Sequence, residues 1–210
     1  MPLTITTYTV GPLAENCYLL ADEASKKAVL IDPGEEAPLL LDELADKKLE
    51  LSAIWLTHAH FDHIGAVEGV TQFHKVPVYL HPDDKPLYER AHEAAARWGI
   101  PFQQPTAETT DLATGQVLGL GGVKVHCLFT PGHAPGHISF YAPSEGFVIA
   151  GDALFAGSVG RTDLPGGDTD LLLKSIHMQL LTLPDETVVY PGHMHKTTIG
   201  KEKRTNPFIQ

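Results

Sequence analysis

Residues 54–66 read IWLTHAHFDHIGA and place four potential metal ligands within six positions. After an apolar run, the side chains follow in the order His58, His60, Asp62 and His63. Imidazole and carboxylate groups are the usual protein ligands of zinc and of similar ions. Their offsets differ from the i, i+4 pattern of two histidines on one helical face, so they predict a loop that curls as it leaves a strand. The first two residues then face one ion, the last two face a second, and each ion needs further ligands.

Three other candidate ligands each follow an apolar segment and a glycine. They are His133 in FTPGHAPG, Asp152 in VIAGDALF and His193 in VVYPGHMH. A neighbouring glycine lets the backbone approach a metal closely. With the first cluster, they give five histidines and two aspartates. That set suits two ions, each bound by three residues, with one bridging carboxylate and a position left for water or hydroxide.

The pattern along the chain predicts one domain, residues 1–210, of mixed α/β class. Periodicity and turn residues divide it into strands and helices without a linker or a low-complexity segment. Strands that end in polar loops recur at all four ligand segments, and sites of α/β proteins gather where strands end. Helices are predicted at 37–48, 64–73, 83–98 and 168–183, and a loop rich in Pro, Thr and Gln is predicted at 100–115.

The composition predicts a water-soluble protein. Hydrophobic residues make up 43% of the chain, charged residues make up 20%, and the formal net charge is −11. No basic stripe is visible to meet phosphates, which argues against a nucleic-acid partner. The sequence has no apolar run of about 18 residues that would span a membrane. The first ten residues lack the basic and apolar regions of a secretory signal. We therefore expect a cytoplasmic protein without a membrane partner.

The two cysteines are predicted to be buried free thiols. Cys17 and Cys127 each lie in an apolar, strand-like run, far apart in the chain. They form no C-x-x-C pattern of the kind found in metal or redox sites. A free cysteine in such a setting behaves as a small hydrophobic residue.

The ordered set T-H-x-H-x-D-H, P-G-H, G-D and P-G-H resembles the metallo-β-lactamase-fold hydrolases. The resemblance is closer still to their glyoxalase II-like branch, the hydroxyacylglutathione hydrolase-like enzymes. It runs over nearly all 210 residues and includes LIDPG at 30–34, GRTDLPGGD at 160–168 and TTIGKEKRTNPF at 197–208. It implies a four-layer αββα sandwich that consists of two similar halves.

The resemblance also implies a role for each ligand. One ion is bound by His58, His60 and His133, and the other is bound by Asp62, His63 and His193. Asp152 bridges both ions, and Asp32 in LIDPG orients a ligand histidine from behind. Zinc is the expected metal at both positions, with iron and manganese as alternatives because both tolerate the same ligands.

The charges at such a site suggest a mechanism. Two divalent ions, two aspartates and a bridging hydroxide leave a net charge of about +1, which attracts an anionic substrate even in an acidic protein. The ions lower the pKa of the shared water, and the hydroxide attacks a carbonyl carbon while a metal stabilises the oxyanion. A thiolate then leaves with little help from an acid. We expect hydrolysis of small-molecule acyl thioesters such as S-D-lactoylglutathione, with Asp62 and Asp152 as the catalytic carboxylates.

Two other activities remain open for the same ligands. Persulfide dioxygenases resemble this sequence too, including the GRTD stretch, and use the equivalents of His58, His133 and Asp152 on a single iron. The LPGGD and TTIG segments favour the hydrolase. A lactonase or another ester hydrolase would use the same site and would turn over lactones faster than thioesters.

Residues near the second ion depart from the pattern of the branch. Its small members usually read P-G-H-G-P, whereas Met194 and His195 follow His193 here. His195 and Arg161 are candidates for substrate contact, although a salt bridge with Asp163 is the simpler interpretation of the arginine. Full-length glyoxalase II enzymes carry a C-terminal helical region that helps bind glutathione. This sequence ends soon after His193, so the resemblance does not define which thiol carries the acyl group.

Overall fold

Two six-stranded β-sheets form the centre of the computed structural model, which describes residues 2–210. In the first sheet, the strands lie side by side in chain order: β1 (Thr4–Val10), β2 (Glu15–Asp22), β3 (Lys27–Ile31), β4 (Glu50–Trp55), β5 (Val78–Leu80) and β6 (Thr109–Asp111). The pairs β1–β2 and β2–β3 are antiparallel, and β3 to β6 are parallel. Parallel strands need crossover connections, and helices supply them here.

The remaining strands are β7 (Val117–Leu120), β8 (Val123–Phe129), β9 (Ile138–Ala142), β10 (Phe147–Gly151), β11 (Leu154–Phe155), β12 (Ser158–Val159), β13 (Val188–Pro191) and β14 (Thr197–Thr198). The second sheet has the order β14-β13-β10-β9-β8-β7, with only β10 and β13 parallel. The strands β11 and β12 pair with each other in a separate two-stranded ribbon.

Local chemistry accounts for features of two helices. In the first helix, Leu40 and Leu44 lie one turn apart and are both buried, as the leucine spacing predicts. Asp168 caps the sixth helix by accepting a hydrogen bond from the Leu171 amide at 2.9 Å. The helices are α1 (Ala37–Asp46), α2 (Phe61–Ile64), α3 (Val67–Phe73), α4 (Lys85–Glu89), α5 (Ala91–Arg97), α6 (Thr169–Ser175), which continues into a π-helix (Ile176–Leu180), and α7 (Ile199–Thr205).

Three hydrophobic cores lie between the four layers of the fold. The central core joins the facing sides of the two sheets, where Trp55 lies against Phe140 with ring centroids 5.5 Å apart. An outer core packs α1 and α3 on the first sheet, and another packs α6 and the π-helix on the second. The strand β2 is covered on both faces, and all eight of its residues are buried, including the polar Glu15, Asn16 and Asp22. The predicted αββα sandwich is confirmed.

Several predicted segments differ in detail. The offsets of the ligand cluster predict a loop, but Asp62 and His63 lie in the short helix α2, and the helix predicted at 64–73 is α3, which begins at Val67. The helix predicted at 83–98 is divided into a 3₁₀ turn (Pro82–Asp84), α4 and α5, with Arg90 between the last two at φ −119°. The loop predicted at 100–115 contains β6, whose residues TTD pair with β5. This short polar strand exists because the edge of the sheet offers backbone partners, which no local pattern of the sequence encodes.

Two other features concern the cysteines and the helix lengths. Cys17 and Cys127 are both free and buried, as predicted. Burial raises the pKa of the Cys127 thiol to about 12, so this side chain serves packing. Among residues 2–210, no helix is long and apolar enough to cross a membrane.

Candidate metal centre

The ends of strands bring the predicted ligands together. The segment that carries His58 follows β4, and His133 follows β8. Asp152 and His193 follow the parallel strands β10 and β13, whose last residues, Gly151 and Pro191, are paired. Ligands that are more than 100 residues apart in the chain therefore meet at one edge of the two sheets.

The first predicted group is tightly clustered. His58 Nε2 lies 3.1 Å from His60 Nδ1, and His60 Nδ1 lies 2.9 Å from His133 Nε2. The three ligand atoms all lie within 4.8 Å of one another. Three imidazole nitrogens that face one point form the donor set of a metal with an open fourth position.

The second predicted group lies beside the first. His193 Nε2 is 3.3 Å from Asp62 Oδ2, and His63 Nε2 is 3.9 Å from the same oxygen. These three ligand atoms also lie within 4.8 Å of one another. The site therefore contains two adjacent donor sets, one of three histidines and one of two histidines and an aspartate.

Asp152 lies between the two groups. Its Oδ1 is 3.5 Å from His63 Nε2, and its Oδ2 is 3.5 Å from His133 Nε2. The same Oδ2 is 3.6 Å from His193 Nε2. One carboxylate thus reaches members of both donor sets, which is the geometry expected of a bridging ligand.

Hydrogen bonds behind the rings fix which nitrogen each histidine presents. Asp32 accepts hydrogen bonds from the Thr57 amide at 2.7 Å, from Thr57 Oγ1 at 2.6 Å and from His63 Nδ1 at 3.1 Å. Because the Thr57 hydroxyl donates to Asp32, it accepts from His58 Nδ1 at 2.9 Å. Both imidazoles therefore direct Nε2 into the site, and Asp32 lies behind the His63 ring, where a carboxylate can orient it.

Main-chain carbonyls orient two further ligands. His133 donates from Nδ1 to the carbonyl oxygen of Arg161 at 2.7 Å. His193 donates from Nδ1 to the carbonyl oxygen of Leu13 at 3.1 Å. Such partners set the tautomer and the orientation of a metal-binding imidazole.

Unpartnered buried atoms show that these residues fit a divalent metal. His63 Nε2 and Asp152 Oδ1 are buried and have no hydrogen-bond partner within residues 2–210. Leaving such groups unpaired costs about 1–3 kcal/mol each, so native proteins rarely do so. A cation between a lone pair and a carboxylate oxygen satisfies both.

Burial keeps the first donor set neutral. It lowers the pKa of His60 to about 3, and it lowers the pKa of His58 well below the ordinary value, with His63 adding to the effect. Burial also lowers the pKa of His133. A neutral imidazole has the free lone pair that a metal requires.

Carboxylates dominate the second donor set. Burial opposes a charge on His63, but the carboxylates of Asp152 and Asp62 raise its pKa well above the ordinary value. Burial likewise opposes the charge of Asp62, yet His63 and His193 lower the pKa of this carboxyl. The same negative field that retains a proton on His63 in the metal-free chain attracts a cation.

The sequence matches the Metallo-beta-lactamase superfamily over residues 10–193. The protein belongs to the metallo-β-lactamase superfamily. The His/Asp cluster and the family together imply divalent metal and a hydrolase-like enzyme. A relative from Haemophilus influenzae named hydroxyacylglutathione hydrolase GloC is 38% identical over 209 residues, which cover 99% of this chain and 98% of the relative.

Two solved structures of superfamily members are similar over nearly the whole chain. BLEG-1, described as a B3 metallo-beta-lactamase, is 40% identical with a TM-score of 0.92, covering 99% of this chain and 100% of that one. TTHA1623, solved in a di-iron-bound form, is 49% identical with a TM-score of 0.88. The match covers 97% of this chain and 99% of that one. Iron is therefore the metal bound in a solved structure that is 49% identical to this chain.

This superfamily member has a buried histidine at the site that the ligand pattern did not assign. His137 Nε2 accepts a hydrogen bond from the Asp152 amide at 3.0 Å, so its Nδ1 carries the proton and donates to Thr130 Oγ1 at 2.8 Å. Burial lowers the pKa of His137 well below the ordinary value. Its position four residues after His133, in HAPGH, is the only signal in the sequence.

Two buried carboxyl groups were also missed. Asp84 is fully buried and accepts hydrogen bonds from the Ala59 amide at 3.0 Å and from the Gly136 amide at 2.5 Å. It thereby joins the loop after β4 to the loop that follows His133. Glu15 lies 3.7 Å from His63 Nδ1, and neither of its carboxyl oxygens has a hydrogen-bond partner within residues 2–210. Neither residue stands in a motif.

The two predicted substrate contacts differ in position. Arg161 lines a cavity above the ligands and forms a two-pronged salt bridge with Asp163 at 2.7 Å from both Nε and Nη2. His195 is exposed and lies outside the lining of that cavity, whereas Met194 belongs to it. Met194 has φ +69°, a left-handed conformation that glycine adopts without cost.

Proposed function

We propose that the protein is a metal-dependent hydrolase of acyl thioesters, of the glyoxalase II type, acting on S-D-lactoylglutathione-like substrates. The position of Asp152 carries this proposal. Its carboxylate lies 3.5 Å from one histidine of each donor set, which supports two ions in one open site. Asp152, Asp62, His60, His133 and His193 all line a cavity of about 670 Å³, so a small molecule reaches them.

The proposed ligands keep the roles that the sequence predicted. Two ions, zinc by preference and iron or manganese as alternatives, would be held by His58, His60, Asp62, His63, His133, Asp152 and His193. When bound, divalent ions supply a Lewis acid and lower the pKa of water toward neutrality.

The residues of the chain have three tasks in this reaction. Asp62 and Asp152 present carboxylates to the cavity, where they direct the attacking water through its protons. Asp32 and the carbonyl of Arg161 hold ligand imidazoles in place. Phe61 contributes an apolar wall that excludes bulk water. Because a thiolate leaves easily, thioester cleavage makes no demand for a strong general acid.

Relatives add independent support. The Haemophilus influenzae relative is named a hydroxyacylglutathione hydrolase and aligns over 98% of its length. The di-iron form of TTHA1623 supports two ions and keeps iron open as the metal. The description of BLEG-1 as a B3 metallo-beta-lactamase makes β-lactam hydrolysis a second candidate that needs a direct test. The proposal includes a cytoplasmic location and no nucleic-acid or membrane partner.

The deciding experiment compares substrates on protein of measured metal content. S-D-lactoylglutathione, glutathione persulfide, a lactone and a β-lactam are assayed side by side with an oxygen electrode. Thioester cleavage without oxygen uptake, faster than turnover of the lactone and the β-lactam, supports the proposal. Oxygen uptake with the persulfide, in protein that holds about one iron, would move the protein to the dioxygenases. Faster lactone or β-lactam turnover would assign the site to that substrate.

A further inference from the structure

One helix shapes the cavity above the metal ligands. Ala91, Ala94 and Trp98 all line it, and their spacing of three and four residues places them on one face of α5 and its C-terminal end. The two alanines leave space where larger side chains would fill the cavity. Trp98 is 50% exposed, although large apolar side chains are usually buried. This face of α5 forms a wall of the cavity that suits an apolar part of a substrate.

A second segment adds apolar lining next to this wall. Phe155 and Leu164 both belong to the cavity. The guanidinium of Arg161 lies 5.8 Å from the centre of the Trp98 ring, so the two segments meet at this contact. The cavity therefore combines a polar, metal-binding floor with largely apolar walls.

Three arginines line the cavity, and two of them have a carboxylate partner. Arg90 binds Glu93 through Nε at 3.0 Å and Nη2 at 2.9 Å. Arg161 binds Asp163 in the same manner. Arg97 is exposed and lines the cavity, and it forms no salt bridge within 4 Å among residues 2–210, whereas the nearby Glu93 pairs with Arg90. A guanidinium at an apolar cavity is well suited to bind a carboxylate of a ligand.

We infer that the substrate has an apolar chain or ring ending in a carboxylate, with the apolar part against Ala91, Ala94 and Trp98 and the carboxylate at Arg97. The inference rests on the proposed function and adds the class of substrate to it. In that hydrolysis, the oxygen of water bonds to the acyl carbon and the C–S bond breaks with its electron pair on sulfur. A proton from water goes to the thiolate. The carboxylate takes no part in the chemistry and acts through binding alone.

Matched pairs of thioesters test the charge requirement. S-acetyl-6-mercaptohexanoate and its methyl ester carry the group on the thiol side, and the S-methyl monothioester of adipate and its O-methyl ester carry it on the acyl side. Within each pair the reacting bond is the same, because the carboxylate is remote from it. We expect kcat/KM to favour the acid about tenfold in at least one pair, which corresponds to about 1.4 kcal/mol.

Variants test the residues. Arg97→Gln is expected to raise KM for the acid, to leave kcat unchanged and to bring the acid-to-ester ratio to about one, because a purely binding contact is lost. The double variant Arg90→Gln/Glu93→Gln removes the paired charges together, leaves Arg97 in place and is expected to retain the ratio. Ala94→Leu is expected to slow the six-carbon substrates and to spare S-methyl thioacetate.

A binding measurement gives a readout that is independent of turnover. In metal-free protein, hexanoate is expected to quench the fluorescence of Trp98 more strongly than methyl hexanoate does, and Arg97→Gln is expected to abolish the difference. The variant Trp98→Phe is expected to abolish the quenching, because the other tryptophan, Trp55, is buried between the sheets and away from the ligand.

The outcomes separate the two proposals. If no thioester is cleaved, the proposed function fails and this inference fails with it. If thioesters are cleaved but the wild-type ratio is about one, or Arg97→Gln leaves it unchanged, the inference is wrong while the function stands.

Discussion

At the scale of the residue, the position of Asp152 depends on side chains that bind no metal. Its amide donates to His137, which donates to Thr130, and Thr130 Oγ1 lies 2.9 Å from Ser139 Oγ. Gly151 completes the arrangement, because a Cβ at this position would lie 2.6 Å from Thr57 Oγ1 and its φ is +50°. Contacts of the Asp152 backbone therefore fix the position of the carboxylate between the two donor sets.

Replacing Asp152 tests the dinuclear arrangement. Asp152→Ala is expected to lower thioester turnover at least about 100-fold and to reduce bound metal, because the residue that reaches both donor sets is lost. Elemental analysis and kcat/KM measure both effects. The control His195→Ala changes an exposed side chain, and less than a tenfold change is expected. Full metal content with wild-type turnover in Asp152→Ala would exclude a bridging role.

His137 offers a second test at this scale. His137→Phe keeps a ring of similar size but removes the acceptor for the Asp152 amide, which is expected to cost about 1–3 kcal/mol of unfolding free energy. Metal affinity is expected to fall about 10–100-fold, as it does when groups behind metal ligands are lost. Urea unfolding and competition with a chelator measure the two quantities. His81→Phe alters another buried histidine, stacked on Phe129, and its metal affinity should not change.

At the scale of the element, a short 3₁₀ turn connects two ligand-bearing loops. Asp84 ends that turn and accepts the Ala59 and Gly136 amides. The adjoining backbone leaves little room, since a Cβ on Gly136 would lie 2.8 Å from the Asp84 nitrogen. The predicted continuous helix over 83–98 is therefore interrupted at its start by a turn that Asp84 ties to two loops, and a second time at Arg90.

Removing the Asp84 carboxylate tests this connection. Asp84→Ala leaves two buried amides without acceptors, each worth about 1–3 kcal/mol, so a large loss of unfolding free energy is expected. Hydrogen exchange at the Ala59 and Gly136 amides should accelerate more than exchange in β9. The neighbouring Asp83, whose side chain is 60% exposed, provides the control Asp83→Ala. Unchanged exchange at both amides would contradict the connection.

At the scale of the whole molecule, buried titratable groups make the metal-free protein sensitive to acid. His60 has a pKa of about 3 in the folded chain and an ordinary value of 6.5, so only the unfolded chain gains this proton between those values. Stability that depends on neutral His60 is present above pH 6.5 and is lost as the pH falls toward 3. Burial lowers the pKa of three further histidines in the same direction: His58, His133 and His137.

Groups with raised pKa values change the stability with pH in the opposite direction, and fewer of them titrate below pH 6.5. Burial raises the pKa of Glu15 and brings that of Asp84 to about 6, so the folded chain gains these two protons first. The raised pKa values of His63 and His193 contribute stability that is fully present below pH 6.5 and is lost as the pH rises through their folded pKa values, so they leave the slope below pH 6.5 unchanged. We expect the unfolding free energy in EDTA to fall between pH 6.5 and 4.5. His60→Asn should reduce the slope by up to about 1.36 kcal/mol per pH unit. A flat profile in urea titrations would contradict this.

The sequence by itself determined the kinds of ligand, their spacing and their position at strand ends. Those features are local, because H-x-H-x-D-H and the glycines beside His133, Asp152 and His193 depend on neighbouring residues alone. Strand and helix periodicity likewise predicted most elements and, with the family resemblance, the four-layer class.

Only the tertiary structure decided how distant segments meet. The place of Asp152 between two donor sets, the contacts of His137 and Asp84, and the pairing of the polar strand β6 all join residues remote in sequence. The position of Arg97 in the lining of the cavity, opposite segments that are remote in the chain, also depends on the fold. Such contacts follow from packing of whole layers, since long-range partners are selected by the fold and leave no periodic signal in the chain.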